Sequence, residues 1–230
     1  MTNVRFTCDG VFIDVLEKPK ASFKYIPEYY KKMPNNINEI KDSGNGTVKK
    51  CIPFLDAMSI GYIIPLDNDL RVVVEKGDIS IYSSHQDIYP VKTHVQEQFT
   101  NTPISGPYFG KVIFKLLNKW VIETDRNYSC LFTSPLNHLE TRFKMLDGIV
   151  DTDTYYQEVN FPFVWTGGEG EFLLKKGTPI IQVIPFKREN YKSSFGNHDY
   201  KKKEISFLKM RALFNDGYKK LFWHRRKEIE

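Results

Sequence analysis

Cysteine is scarce in this sequence, at three residues in 230. Cys8, Cys51 and Cys130 are odd in number, far apart and in no CxxC pair. That spacing points to reduced thiols and away from a disulfide framework or a zinc site. Long apolar runs are missing as well. No stretch of about 18 apolar residues occurs, which excludes a membrane-spanning helix. The opening Met-Thr-Asn-Val-Arg-Phe-Thr-Cys-Asp lacks the apolar core of a signal peptide, so the expected location is inside the producing cell. Three nucleotide and metal signatures are absent: the GxxxxGK[ST] loop, GxGxxG after a strand, and HExxH. His85, His94, His138, His198 and His224 are scattered without metal-ligand spacing, and no GxSxG elbow supports a serine nucleophile. There is no internal repeat.

What remains is ordinary globular material. Apolar residues make up 41% and charged residues 27%, and the length fits a single compact unit with insertions. The net charge of +5 is unevenly placed: residues 201–230 hold ten Lys/Arg and four Asp/Glu, leaving the first 200 residues at −1. Such a basic tail meets nucleic acid, an acidic partner surface or another subunit, or it is a solvated helix face.

Phe and Tyr are plentiful, 17 and 13, and the apolar stretches are short and punctuated by Gly, Pro, Asn and Asp. The pattern predicts many short strands. The windows are Ser59–Pro65, Leu70–Glu75, Ile79–Ser83, Val112–Leu117, Lys119–Glu123, Ser129–Thr133, Glu158–Val164 and Ile180–Phe186. Lys41–Thr47 and Pro103–Gly110 read as turn-rich links. Pro19–Pro34, with Tyr25, Tyr29 and Tyr30, reads as an irregular arm packing its aromatics on something larger. Ile205–Phe222 reads as a helix. Its Phe207, Met210, Phe214, Tyr218 and Leu221 recur at three- and four-residue steps, a stripe suited to packing on the body or on a partner subunit.

The chemistry-bearing block runs from Tyr128 to Arg188. Gly148-Ile149-Val150-Asp151-Thr152-Asp153-Thr154-Tyr155 predicts a strand running into an acidic turn. A carboxylate there is held by backbone amides and aimed at a water or a metal, or it simply caps the turn. Ile180–Pro185 predicts a buried strand beside it, in which the amide of Gln182 must find a partner.

This block resembles the dUTPase and dCTP deaminase superfamily over roughly the second half of the chain, with a faint echo in Ala57–Arg71. Gly148–Val159 is similar to the family's Gly-Val-Ile-Asp-x-Asp-Tyr turn, with one extra residue. Phe172–Val183 is similar to its later Phe-x-Ile-x-x-Gly-x-x-Ile-Ala-Gln-Leu segment. The same stretch also looks like an uncharacterised family of tailed-phage and marine bacterial proteins. The resemblance implies a mainly β, dUTPase-like β-clip, a distorted barrel assembling as a trimer. Residues 1–49 would form the irregular N-terminal arm, 50–190 the β domain and 191–230 the basic helical tail. It further implies Asp151, with Asp153, as the water-activating carboxylates, and Ser134, Asn137, Tyr155 and Gln182 as ligand-binding residues.

The sequence departs from the family where phosphates are held. Thr133-Ser134-Pro135-Leu136-Asn137 lacks the phosphate-binding arginine, and Tyr156 and Gln157 stand where the nucleoside hairpin opens with glycine. Ser193-Ser194-Phe195-Gly196 only echoes the Gly-rich C-terminal motif, and Asn160–Val164 has no deaminase glutamate. Two functions follow. One is a phage-type structural or binding protein on a non-catalytic β-clip trimer, located in the host cytoplasm or a virion. Its partners would be further copies, other virion subunits or nucleic acid through the tail, with no membrane and no cofactor. The other is a Mg²⁺-dependent nucleotide pyrophosphatase with Asp151 as general base.

Overall fold

The computed structural model of the chain describes residues 3–37, 46–84, 91–99, 101–102, 112–212 and 217–224. Among these, fourteen strands fall into four antiparallel sheets, so the molecule is mainly β as the residue pattern predicts. No helix of the described residues is long and apolar enough to cross a membrane.

The longest strand, β14 (Pro179–Lys187), is the hub. Its β-branched stretch Ile180–Val183 is buried throughout, as expected for a strand flanked on both sides. It pairs with β9 (Tyr128–Thr133) from Gln182↔Thr133 to Lys187↔Tyr128, and with β3 (Tyr62–Pro65) from Pro179↔Pro65 to Val183↔Tyr62. Pro185 sits past that last β3 pairing, where one flank of β14 carries no ladder and a missing N–H costs little. Outside β9 lies β11 (Gly148–Val150), and outside β3 lies β2 (Lys20–Ala21). The sheet order β11-β9-β14-β3-β2 corrects the expectation that the Asp151 strand and the Gln182 strand are neighbours, because β9 separates them.

A second sheet orders β10 (Phe143–Met145), β12 (Phe161–Trp165), β7 (Phe114–Leu116) and β6 (Val91–Thr93). Its inward rings join those of the first: Phe163 lies 5.4 Å from Phe114 and 6.4 Å from Phe143, and Phe132 lies 6.0 Å from Phe161. Phenylalanine in short strands therefore builds much of the core. A third sheet places β4 (Leu70–Glu75) between β13 (Gly170–Leu174) and β5 (Asp78–Ser83). The β4–β5 turn holds Lys76 and Gly77 at φ 52° and 83°, the left-handed pair of a two-residue hairpin. Glu169 accepts from both of their N–H groups, at 3.0 and 2.9 Å. The fourth sheet pairs β1 (Val4–Thr7) with β8 (Val121–Thr124).

The strand windows match observed strands with shifted ends, except at Ser59, which closes a helix, α2 (Ile52–Ser59). Gly61 then turns the chain into β3 at φ +73°, and a Cβ there would lie 2.1 Å from the carbonyl oxygen of Val183. The N-terminal segment is more regular than an irregular arm. It adds β1 and β2 to two sheets and forms a short helix, α1 (Glu28–Lys32). Buried Tyr30 stacks on Phe54, 6.0 Å between centroids, and Tyr29 donates its hydroxyl hydrogen to the Asn137 carbonyl, so the expected aromatic packing is made on the chain itself.

The tail is two helices, α3 (Tyr200–Ala212) and α4 (Gly217–Leu221), and residues 213–216 with Phe214 lie outside the described residues. Phe207, Met210, Tyr218 and Leu221 are 41–52% exposed, so within one chain the stripe does not pack on the body. Beyond α4, Trp223 anchors the tail to the body by donating its indole N–H to the Asp56 carboxylate at 3.1 Å. Of the two links, Pro103–Gly110 and residues 41–45 of Lys41–Thr47 also lie outside the described residues, as does His85.

Candidate functional site

β9 fixes the geometry of every residue singled out in the sequence. Asp151 and Asp153 gather at the end where β9 begins and β14 finishes, whereas Gln182, Ser134 and Asn137 gather at the opposite end. Ser129 and Ser134 mark the two ends, about 17 Å apart at roughly 3.3 Å per residue. The six residues form two clusters and not one site.

At the first end, β11 stops at Val150 and the chain turns, with the Thr154 and Tyr155 N–H groups donating to the Asp151 carbonyl at 3.0 and 2.9 Å. Side chains alternate through this turn. Thr152 points inward, where its hydroxyl meets Thr124 Oγ1 at 2.8 Å and Cys130 Sγ at 3.4 Å. Asp151 and Asp153 point the other way, toward Arg188. The Arg188 guanidinium forks onto Asp153, Nη1 to Oδ1 at 2.8 Å and Nη2 to Oδ2 at 2.5 Å, a bidentate charge-assisted pair. Asp153 also accepts from the Asn127 N–H at 2.8 Å. The Arg188 hydrogen bonds hold its carboxyl down to about 2. Asp151 Oδ1 accepts from the Ser129 hydroxyl at 2.6 Å and lies 3.2 Å from Arg188 Nη1, with the side chain 60% exposed.

The exposed side of Asp151 opens on a groove lined by Ile149, Val150, Asp151, Thr154, Tyr155, Glu158, Val159 and Asn160. This lining has two carboxylates and no lysine or arginine. Polyphosphate binding relies on guanidinium forks and backbone nests, and the groove lining supplies no cationic side chain. A magnesium ion does not fit between Asp151 and Asp153 either. Arg188 already occupies the position facing both, and among the described residues no group of three His, Cys, Asp or Glu is placed to hold a metal.

At the second end, Gln182 is wholly buried. Its Oε1 accepts from the Leu136 N–H at 2.8 Å, and its Nε2 donates to the carbonyls of Ala57 at 2.9 Å and Ile60 at 2.7 Å. Both amide hydrogens are spent on closing the C-terminal end of α2, and none is left for a ligand. Ser134 Oγ accepts from the Met145 N–H at 3.0 Å, and Asn137 Nδ2 donates to the Phe54 carbonyl at 3.2 Å. Asn137 and Leu139 are left-handed, at φ 57° and 59°. His138 between them is pushed down to about 4 by burial, which keeps its imidazole neutral at pH 7.

Arg188 is the residue that sequence reasoning passed over. It lies 35 residues from Asp153 in sequence, and the only local signal is a cation closing a long apolar strand. No family model matches the chain, and no curated protein matches it either.

Proposed function

We propose that the chain is a non-catalytic binding and assembly protein on a dUTPase-like β-clip core, self-associating as a homotrimer or with other subunits of a virion or assembly. The observation that carries the reading is the Arg188 fork. It ties Asp153 down and sits against Asp151, so the two residues proposed for water activation serve to fasten the β11 turn to the end of β14. A general base works best with a pKa near the working pH, and Asp153 is held far below it. The spent amide of Gln182 points the same way, as does the groove, whose two carboxylates, Asp151 and Glu158, already lie 3.2 and 3.4 Å from Arg188 and Lys119. The Gly148–Tyr155 turn and the Ile180–Pro185 strand keep the order of the family's motifs, which supports the fold reading.

The test is an incubation of the purified protein with each (d)NTP and Mg²⁺, reading pyrophosphate, alongside sedimentation to determine the number of copies. The expected result is no pyrophosphate and a discrete oligomer. The second reading is the Mg²⁺-dependent nucleotide pyrophosphatase, favoured by the exposed Asp151 carboxylate on the groove beside Tyr155. Under that reading wild type releases pyrophosphate and Asp151→Asn slows release by about 10²–10⁴-fold. That pair of results refutes the assembly reading.

A further inference from the structure

We propose that α3 is a binding site for single-stranded nucleic acid, holding phosphates with its cations and stacking bases on Tyr200 and Phe207. This goes beyond the assembly role and does not depend on it.

Charge is the first argument. The helix sequence Tyr-Lys-Lys-Lys-Glu-Ile-Ser-Phe-Leu-Lys-Met-Arg-Ala carries five cations against Glu204. Among the described residues, the only carboxylate within ion-pair distance of any of the five is Asp199, 4.0 Å from Lys202. No other described residue neutralises this charge, so it is available to a polyanion.

The arrangement of rings among the cations is the second argument. At about 100° per residue, Tyr200, Lys203, Phe207, Met210 and Arg211 share one face of the helix, within an arc of roughly 100°. Tyr200 is 74% and Phe207 52% exposed, and the Arg211 guanidinium lies 5.5 Å from the Phe207 ring centroid. The two rings stand about 10.5 Å apart along the axis, the rise of about three stacked nucleotides at 3.4 Å each. Exposed rings alternating with cations are what sequence-tolerant single-strand binding requires, because every base offers a π-face and every linkage a charge. A duplex keeps its base faces stacked away. A protein groove or a membrane asks instead for a continuous apolar stripe, and α3 has none. Ile205 and Leu208 lie on the far side of the helix with Lys201 between them, so burying either apolar set buries a lysine.

The experiment uses the full chain and a fluorescein-labelled 15-mer oligo(dT), read by anisotropy at several salt concentrations. Binding is expected, with a log–log salt slope of about −0.7 for each phosphate contacted. Tyr200→Ala with Phe207→Ala, which removes two stacking platforms, should weaken it by about thirtyfold or more while leaving the slope unchanged. Lys203→Gln with Arg211→Gln should instead flatten the slope by about 1.4. All four side chains are exposed, and far-UV circular dichroism checks that the helix persists. The proposal is overturned by no binding at 50 mM salt, by equal affinity for a 15-base-pair duplex, or by polyglutamate competing as well as unlabelled oligo(dT). Affinity indifferent to the loss of both rings overturns it too.

Discussion

Gln182→Leu removes one acceptor and two donors from a position with no solvent access. Leucine is close to glutamine in volume, so the cavity contribution is small and the polar loss dominates. The Leu136 N–H, 2.8 Å from Oε1 in the wild type, is left without that partner, at about 1–3 kcal/mol for a buried donor. The Ala57 and Ile60 carbonyls lose bonds of 2.9 and 2.7 Å, at about 1 kcal/mol each. The sum is about 3–5 kcal/mol, a large part of the roughly 5–15 kcal/mol that holds a typical domain together. For a chain of this size it corresponds to a fall in Tm of roughly 6–20 °C. Urea denaturation followed by tryptophan fluorescence measures it as a lower midpoint with an unchanged slope. Gln182→Glu adds a second discrimination. At neutral pH it sets a carboxylate against two carbonyl oxygens and should be worse than leucine, recovering partly in acid as the carboxyl protonates. A loss below about 1 kcal/mol for leucine refutes the clamp and returns Gln182 to a ligand-facing role.

Gly61→Ala forces a Cβ against the Val183 carbonyl at a left-handed backbone position and should cost about 3 kcal/mol or more, seen as a collapsed yield or a matching drop in urea midpoint. The Asp153 carboxyl is lowered to about 2 in the folded state, so its contribution is present above about pH 4 and lost as the pH falls through 2. Asp153→Asn should therefore flatten the stability profile between pH 4 and 2, and a wild-type slope kept by the variant contradicts the Arg188 fork. His138 and Asp67 give opposed pH effects. His138 is lowered by burial to about 4, and Asp67 is raised by burial to about 6. Between about pH 4 and 6 the unfolded chain holds the extra proton at His138 and the folded chain holds it at Asp67. His138 therefore makes stability rise with pH in this window and Asp67 makes it fall. His138→Gln should leave a profile falling with pH and Asp67→Asn one rising with it. Identical urea-midpoint profiles in both variants refute the assignment.

Much of the fold is legible because β-branched and aromatic residues announce short strands even where no long-range partner is known. β4 coincides with its sequence window, and β14 differs by one residue at each end. α2 was not legible: eight residues, with Pro53 early in the helix, barely show a helical period. β10, three residues long, carries too little pattern to read. The acidic turn at Asp151 was legible in its place and shape, yet its chemistry depends on Arg188, which only the β9–β14 pairing brings near. The same limit applied to Gln182. Its need for a partner was readable, but not that α2 supplies the carbonyls. Periodicity found the tail helix and said nothing of what covers it, since a three-four repeat also suits a surface bearing rings and lysines.

The order in which strands appear along the chain constrains how the molecule is made. β3 and β9 meet only through β14, which begins at Pro179. β1 waits for β8, more than a hundred residues later, and β4 gains its second neighbour only with β13. On the ribosome, the β4–β5, β6–β7, β9–β11 and β10–β12 ladders, whose partners lie near one another in sequence, close early. The remaining ladders are loop closures of high sequence separation, which slow folding and leave strand edges open until β14 has been made. A nascent chain halted before Pro179 holds β3 and β9 with a bare edge each, so the synthesis of β14 decides between closure of the sheet and pairing with a neighbouring chain.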